Sequence, residues 1–99
     1  MIKHVVSWKL KAEDAEGKSA SFTALAEALG ALPHVIPEIR TFHIGMDLAD
    51  TDGNWDVVLI IDYNTAADLD TYQKHPEHVK VKGIVAAHTS DRATVDFEF

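Results

Sequence analysis

The stretch "DGNWDVVLIIDY", residues 52–63, decides the fold class. Asp52, Gly53 and Asn54 form a turn signal, and the run that follows is rich in β-branched residues. Val57, Leu59 and Ile61 fall on one face of a strand here and Val58 and Ile60 on the other, so both faces are apolar. That pattern belongs to a central strand with cover on both sides. Upstream, "EIRTFHIGMD" (residues 38–47) also alternates, and the turn between the two runs makes an antiparallel pair of adjacent strands the simplest reading.

Working outward, residues 2–10 alternate with Ile2, His4, Val6, Trp8 and Leu10 on one side and Lys3, Val5, Ser7 and Lys9 on the other, the period of a first strand. From about Asp14 to Leu32 the spacing of Phe22, Leu25, Ala26, Leu29 and Leu32 becomes helical, with Asp14 or Ser19 as the cap. Pro33 and Pro37 enforce a connector. Residues 65–74 read as a second helix capped by Thr65, with Leu69 and Tyr72 on its apolar side, and Pro76 interrupts it so that a further short helix restarts there. "RATVDFEF" (residues 92–99) alternates as a last strand.

The order βαββαβ predicts an α+β, ferredoxin-like subunit: a four-stranded antiparallel sheet with helices on one face. The other face would display Val5, Phe42 or Ile44, Val58 and Ile60, a contiguous apolar patch that a second copy placed face to face would cover. At 99 residues the chain reads as one domain, residues 1–99, and it buries only roughly 60–65% of the surface its unfolded form exposes. A thin core of that kind gains from oligomerisation.

Sixteen acidic residues against nine basic ones give a net charge of -7, the wrong sign for a partner that offers phosphates, so nucleic acid is not expected. With no cysteine there is neither a disulfide framework nor a thiolate nucleophile, and no apolar run is long enough for a signal peptide or a membrane span. A cytoplasmic protein with no membrane association is the expectation. Nothing matches a G-x-S-x-G elbow, a Walker loop or a dinucleotide fingerprint, and no organic cofactor is expected. Lys74, Lys80 and Lys82 form one local basic cluster, interrupted by Glu77, which reads either as a local attraction for an anion or as a solvated helix face.

The chemistry concentrates in "TYQKHPEHVKV" (residues 71–81), where Tyr72, His75 and His78 crowd around Pro76. An imidazole near pKa ~6.5 suits a general base and a tyrosine hydroxyl near ~10 can donate to an enolate or alkoxide oxygen. His78 as base and Tyr72 as donor is the concrete hypothesis, with His4 projecting toward them from the first strand. The competing reading makes Tyr72 and His78 a buried, mutually bonded structural pair and His75 a helix cap. A metal site built from His75, Glu77, His78 and His4 lacks H-x-x-x-H spacing, and none is expected. His34, His43 and His88 carry no spacing argument.

"MIKHVVSWKLK", "WDVVLIIDYNTAADLDTYQKHPEHV" and "VDFEF" together resemble the Dabb family, the stress-responsive dimeric α+β barrel domain. The most specific part is "YQKHPEHV", similar to that family's Y-x-x-H-P-x-H-V signature. The resemblance implies a homodimeric barrel formed by two ferredoxin-like subunits. It extends to the plant polyketide cyclases of the family, which close a linear tetraketide by intramolecular aldol condensation without metal or organic cofactor. In those cyclases the positions matching Tyr72 and His78 carry the chemistry, His4 lines the cavity, and Val6, Trp8 and Leu59 match wall positions. The later wall departs from that pattern, with "HTSDRAT", including Thr89 and Arg92, where the cyclases carry a large aromatic and aliphatic residues.

The resulting expectation is a small-molecule-binding homodimer with a pocket lined by His4, Val6, Trp8, Phe22, Leu59, Tyr72 and His78, with His75 beside it, for a small apolar or carbonyl-containing ligand. Two alternatives accompany it: a cyclase-like lyase performing aldol condensation, and a non-catalytic stress-response dimer.

Overall fold

Period-2 alternation in residues 2–10 becomes β1 (Ile2–Leu10), and the computed structural model describes all of residues 1–99. The remaining elements are α1 (Ala15–Gly30), a 3-10 turn (Leu32–His34), β2 (Thr41–Met46), β3 (Val57–Tyr63), α2 (Ala66–Lys74), α3 (Pro76–His88) and β4 (Thr89–Glu98). The four strands form one antiparallel sheet in the order β2-β3-β1-β4, a ferredoxin-like α+β fold. The first and last strands therefore lie side by side.

Local sequence explains where the elements begin. Asp14 is extended and its side chain accepts from the Gly17 N–H at 2.7 Å, which starts α1; Thr65 does the same for the Asp68 N–H at 3.1 Å and starts α2. Gly53 sits at φ 87 in the turn before β3, a conformation that glycine adopts without steric cost. Asp56 then ties three elements together, accepting from the Leu10 N–H at 2.8 Å and from Lys18 Nζ at 2.9 Å. Its pKa is lowered despite the opposing pull of burial, because the Leu10 amide and the Lys18 ammonium stabilise the carboxylate.

The core lies between the sheet and the helices. Val6, Trp8 and Leu10 of β1 and Val57, Leu59, Ile61 and Tyr63 of β3 face Leu25 and Leu29 of α1, Tyr72 of α2 and Val81 and Val85 of α3. Because Phe42 pairs with Ile61 and Ile44 with Leu59, these two β2 residues share the helix-covered face, which corrects their expected place on the open one. Directly opposed residues of an antiparallel pair point to the same side.

The open face carries Val5, Val58, Ile60 and, from β4, Val95 and Phe97. Val95, Phe97 and Phe99 are 63%, 44% and 58% exposed, so the apolar residues of the last strand point away from the subunit's own core. A hollow of about 600 Å³ also lies on this side, over Ser7, Gly45, Val58 and Ala93, with Trp55 and Asn54 on its rim. Its floor is a row of mostly small side chains with no cluster of acid and base groups. Within one subunit, β3 is covered on one side only, in contrast to the cover on both sides that its composition suggests.

Two further differences concern the end of the chain. The expected short helix after Pro76 is 13 residues long, longer than α2, and β4 begins at Thr89 with no intervening loop. His88 closes the helix, Thr89 is both its C-cap and the first strand residue, and the Thr89 hydroxyl donates to the Val85 carbonyl at 3.0 Å.

Candidate active site

The break between α2 and α3 creates the site. In an unbroken helix, six residues turn through ~600°, so Tyr72 and His78 would point to different sides. His75 is instead extended, at φ -61 and ψ 134, the conformation that a following proline favours. Its amide donates to the Tyr72 carbonyl at 3.2 Å, closing α2, while its Nδ1 accepts from the Glu77 N–H at 3.1 Å, opening α3. The chain changes direction there, and the Tyr72 and His78 rings meet with centroids 4.3 Å apart at an interplanar angle of 41°.

The other aromatic groups gather around Tyr72. Its ring is 6.0 Å from that of His4, edge to face, and 5.4 Å from that of Tyr63. Tyr72 is 1% and His4 3% exposed. His4 Nδ1 is hydrogen-bonded to Asp96 Oδ1 across the β1–β4 pair. Since a carboxylate accepts, Nδ1 carries the proton and Nε2 is left as the free nitrogen of the ring. The same logic applies to His78, whose Nδ1 donates to the Gln73 carbonyl at 3.1 Å.

These groups open onto a cavity of about 420 Å³, within the roughly 300–1,000 Å³ of small-molecule pockets. Val6 and Trp8 of β1, Leu59 of β3, Leu29 of α1 and Val81 and Val85 of α3 supply its apolar wall, and His4, Tyr72, Gln73, His78, Lys82, Thr89 and Arg92 its polar groups. His4, Val6, Trp8, Leu59, Tyr72 and His78 are thus brought together. Phe22 and His75 are not: Phe22 packs against the core while Leu29, two turns along the same stripe, faces the cavity, and the His75 ring is held at the helix break. No three His, Asp or Glu side chains converge in a way that would ligate a metal ion.

Asp96 and Tyr63 escaped sequence reasoning. The signal for Asp96 lies in the alternation of β4, which turns it to the side opposite Val95 and Phe97, but pairing it with His4 requires the β1–β4 register. Tyr63 follows Ile61 by two on the same face of β3, and its hydroxyl is buried without a partner.

Electrostatics separates the two central groups. Burial lowers the His78 pKa below 6.5; the Gln73 carbonyl opposes this, and the neighbouring Lys82, His4 and Arg92 reinforce it. Burial pushes the Tyr72 hydroxyl above the ordinary phenol range, only partly offset by Arg92. At neutral pH the site therefore holds an unprotonated imidazole beside a protonated phenol.

A stability signature follows. With its folded pKa below the unfolded ~6.5, His78 binds more protons in the unfolded chain between the two values, so its contribution is complete above ~6.5 and is lost as pH falls through the folded value. Urea unfolding of the protein and of His78→Gln from about pH 5 to about pH 8 is the check. The wild type should lose more stability toward low pH than the variant; parallel curves would contradict the lowered pKa.

The His4–Asp96 pair yields a second expectation. Asp96→Asn retains the shape but offers an amide in place of the carboxylate acceptor, so the His4 tautomer is no longer fixed. In ¹⁵N spectra of the imidazoles, His4 should change from one dominant tautomer to a mixture, with the His78 signals unchanged. A His4 ring that keeps its tautomer would show that Asp96 does not set it.

Comparison with known proteins places the chain and its fold among relatives. The family model described as "Stress responsive A/B Barrel Domain" (Dabb) matches residues 2–99. A dimeric protein of unknown function with a ferredoxin-like fold from Bacteroides fragilis NCTC 9343 is 34% identical, with a TM-score of 0.85 over 99% of this chain and 95% of that one. A dimeric ferredoxin-like protein of unknown function from Thermobifida fusca YX is 27% identical, with a TM-score of 0.78 over 99% and 90% of the two chains. The hydroxynitrile lyase of Passiflora edulis, 15% identical with a TM-score of 0.77 over 97% and 90%, shares the fold. No curated protein sequence matches the chain.

Proposed function

The chain belongs to the stress-responsive A/B barrel (Dabb) family, and on that footing we propose that it is a homodimeric α+β barrel whose subunit cavity binds a small carbonyl-containing molecule and transfers a proton on it. The observation that carries this reading is the pairing of His78 and Tyr72 at one cavity, the first biased toward its neutral form and the second toward its protonated form. Groups whose environments pull their proton affinities apart are suited to acid and base roles in one site.

In the mechanism, His78 Nε2 removes a proton from the carbon next to the ligand carbonyl, while Nδ1 stays bonded to Gln73. Tyr72 donates its O–H to the carbonyl oxygen as that oxygen gains enolate charge. His4, held by Asp96, offers its Nε2 to the same cavity and orients the ligand. The proton on His78 returns to carbon, or, if the enolate attacks a second carbonyl in the same ligand, to the new alkoxide. The latter course is the aldol closure of a polyketide-cyclase-like lyase. Thr89 and Arg92 in the wall argue for a ligand more polar than a plain polyketide.

The dimer rests on two supports. The apolar open face of the sheet needs cover, and the Bacteroides fragilis and Thermobifida fusca relatives are dimeric. Exchange of the α-hydrogens of 2-decanone for deuterium, followed by NMR, tests the chemistry: the protein should exceed the buffer rate. A rate equal to buffer would overturn proton transfer, and a monomer in native mass spectrometry would overturn the barrel.

A further inference from the structure

The cavity is electrostatically unlike the rest of the molecule. The chain has sixteen acidic residues and a net charge of -7, yet none of the 14 residues lining the cavity is Asp or Glu. Its walls do hold two cations, Lys82 on α3 and Arg92 on β4. Lys3, Lys18, Lys74 and Lys80 are each paired with a carboxylate, whereas Lys82 and Arg92, like Lys9, Lys11 and Arg40 outside the cavity, are not.

Position distinguishes the two from the other lining groups. Val6, Leu59 and Tyr72 are fully buried on the floor, while Lys82, Arg92, Gln73 and Ala86 are exposed and mark the opening. Arg92 is the cross-strand neighbour of Trp8, so a group bound by the guanidinium lies beside the indole. Both charges reach the chemical centre, since they act on His78, and Arg92 also acts on Tyr72. A positive opening on a negative molecule concentrates anions at that spot, and a guanidinium presents a planar fork that matches a carboxylate or a phosphate.

We propose that the cavity selects an anionic amphiphile, with its acid group held between Arg92 and Lys82 at the opening and its apolar body along Val6, Leu59, Val81 and Val85. This deepens the reading of the cavity as a ligand site and rests on it. The acid is a carboxylate or a phosphate monoester, and the carbonyl on which His78 and Tyr72 act belongs to the same molecule.

The test compares three ten-carbon probes, decanoate, decyl phosphate and decanamide, on the full chain, with tryptophan fluorescence, to which Trp8 and Trp55 both contribute, and calorimetry as readouts. At least one acid should bind about tenfold more tightly than the amide, and more weakly as salt is raised. Arg92→Gln and Lys82→Gln should each weaken binding of the acid more than binding of the amide, and so reduce that preference. Preference for decanoate alone identifies a carboxylate, and for decyl phosphate alone a phosphate; either supports the proposal. Equal binding of acids and amide overturns the anion class but leaves a ligand cavity, whereas no binding of any probe overturns both. A preference that survives in both variants also overturns the proposal, because the selecting charge would then lie elsewhere.

Discussion

Ile60→Asp should convert the proposed dimer into monomer or aggregate. Ile60 lies mid-strand on the open face, in a cross-sheet row with His43, Val5 and Val95. An interface centred there would bury the new carboxylate, and its symmetry copy, beside Val5 and Val95, with no lysine or arginine in that row and the His43 imidazole as its one polar neighbour. An unpaired charge buried in this way costs several kcal/mol, and ~4 kcal/mol corresponds to about a thousandfold in dissociation constant. Light scattering after size exclusion reads the mass directly. Val79→Asp is the control, since Val79 is exposed on α3, on the helix side of the subunit, and should leave the mass unchanged. An intact Ile60→Asp dimer would move the interface off the open face.

The other large effect is chemical. His78→Ala should lower ketone α-hydrogen exchange by ~10²–10⁴, the usual contribution of a positioned general base. Tyr72→Phe removes the donor but keeps the ring packed against His78, His4 and Tyr63, so it should lose rate with little change in thermal midpoint. The contrast separates catalysis from architecture. A Tyr72→Phe protein of full activity would remove the oxyanion donor from the mechanism, and full activity in His78→Ala would remove the base.

Much of this was legible because short-range rules govern it. The period of β1 and β3, the Asp14 and Thr65 caps and the break at Pro76 depend on neighbours a few residues away. Those rules, together with the family resemblance carried by "YQKHPEHV", bring His4, Tyr72 and His78 into one argument. What they did not give was register. Phe42 and Ile44 read equally well on either face, and only their pairing with Ile61 and Leu59 fixes the side. Asp96 is an unremarked acid in an alternating strand until it lies across from His4, 92 residues away. Phe22 and Leu29 share one helical stripe, and the packing of α1 on the sheet decides which faces the cavity.

The arrangement of the strands also bears on the order of assembly. β1 is made first and sits between β3 and β4, so one of its edges can be paired only after residues 89–98 exist. While the chain is being synthesised, β1 presents an open row of amides and carbonyls until β4 has followed it, an edge of the kind that templates association with other chains. Closing the sheet then requires contacts such as His4 with Asp96, 92 residues apart, a topology associated with slow folding. Nascent chains of this protein therefore have a late commitment point, and a partner or chaperone acting on them would meet the exposed β1 edge rather than the finished helices.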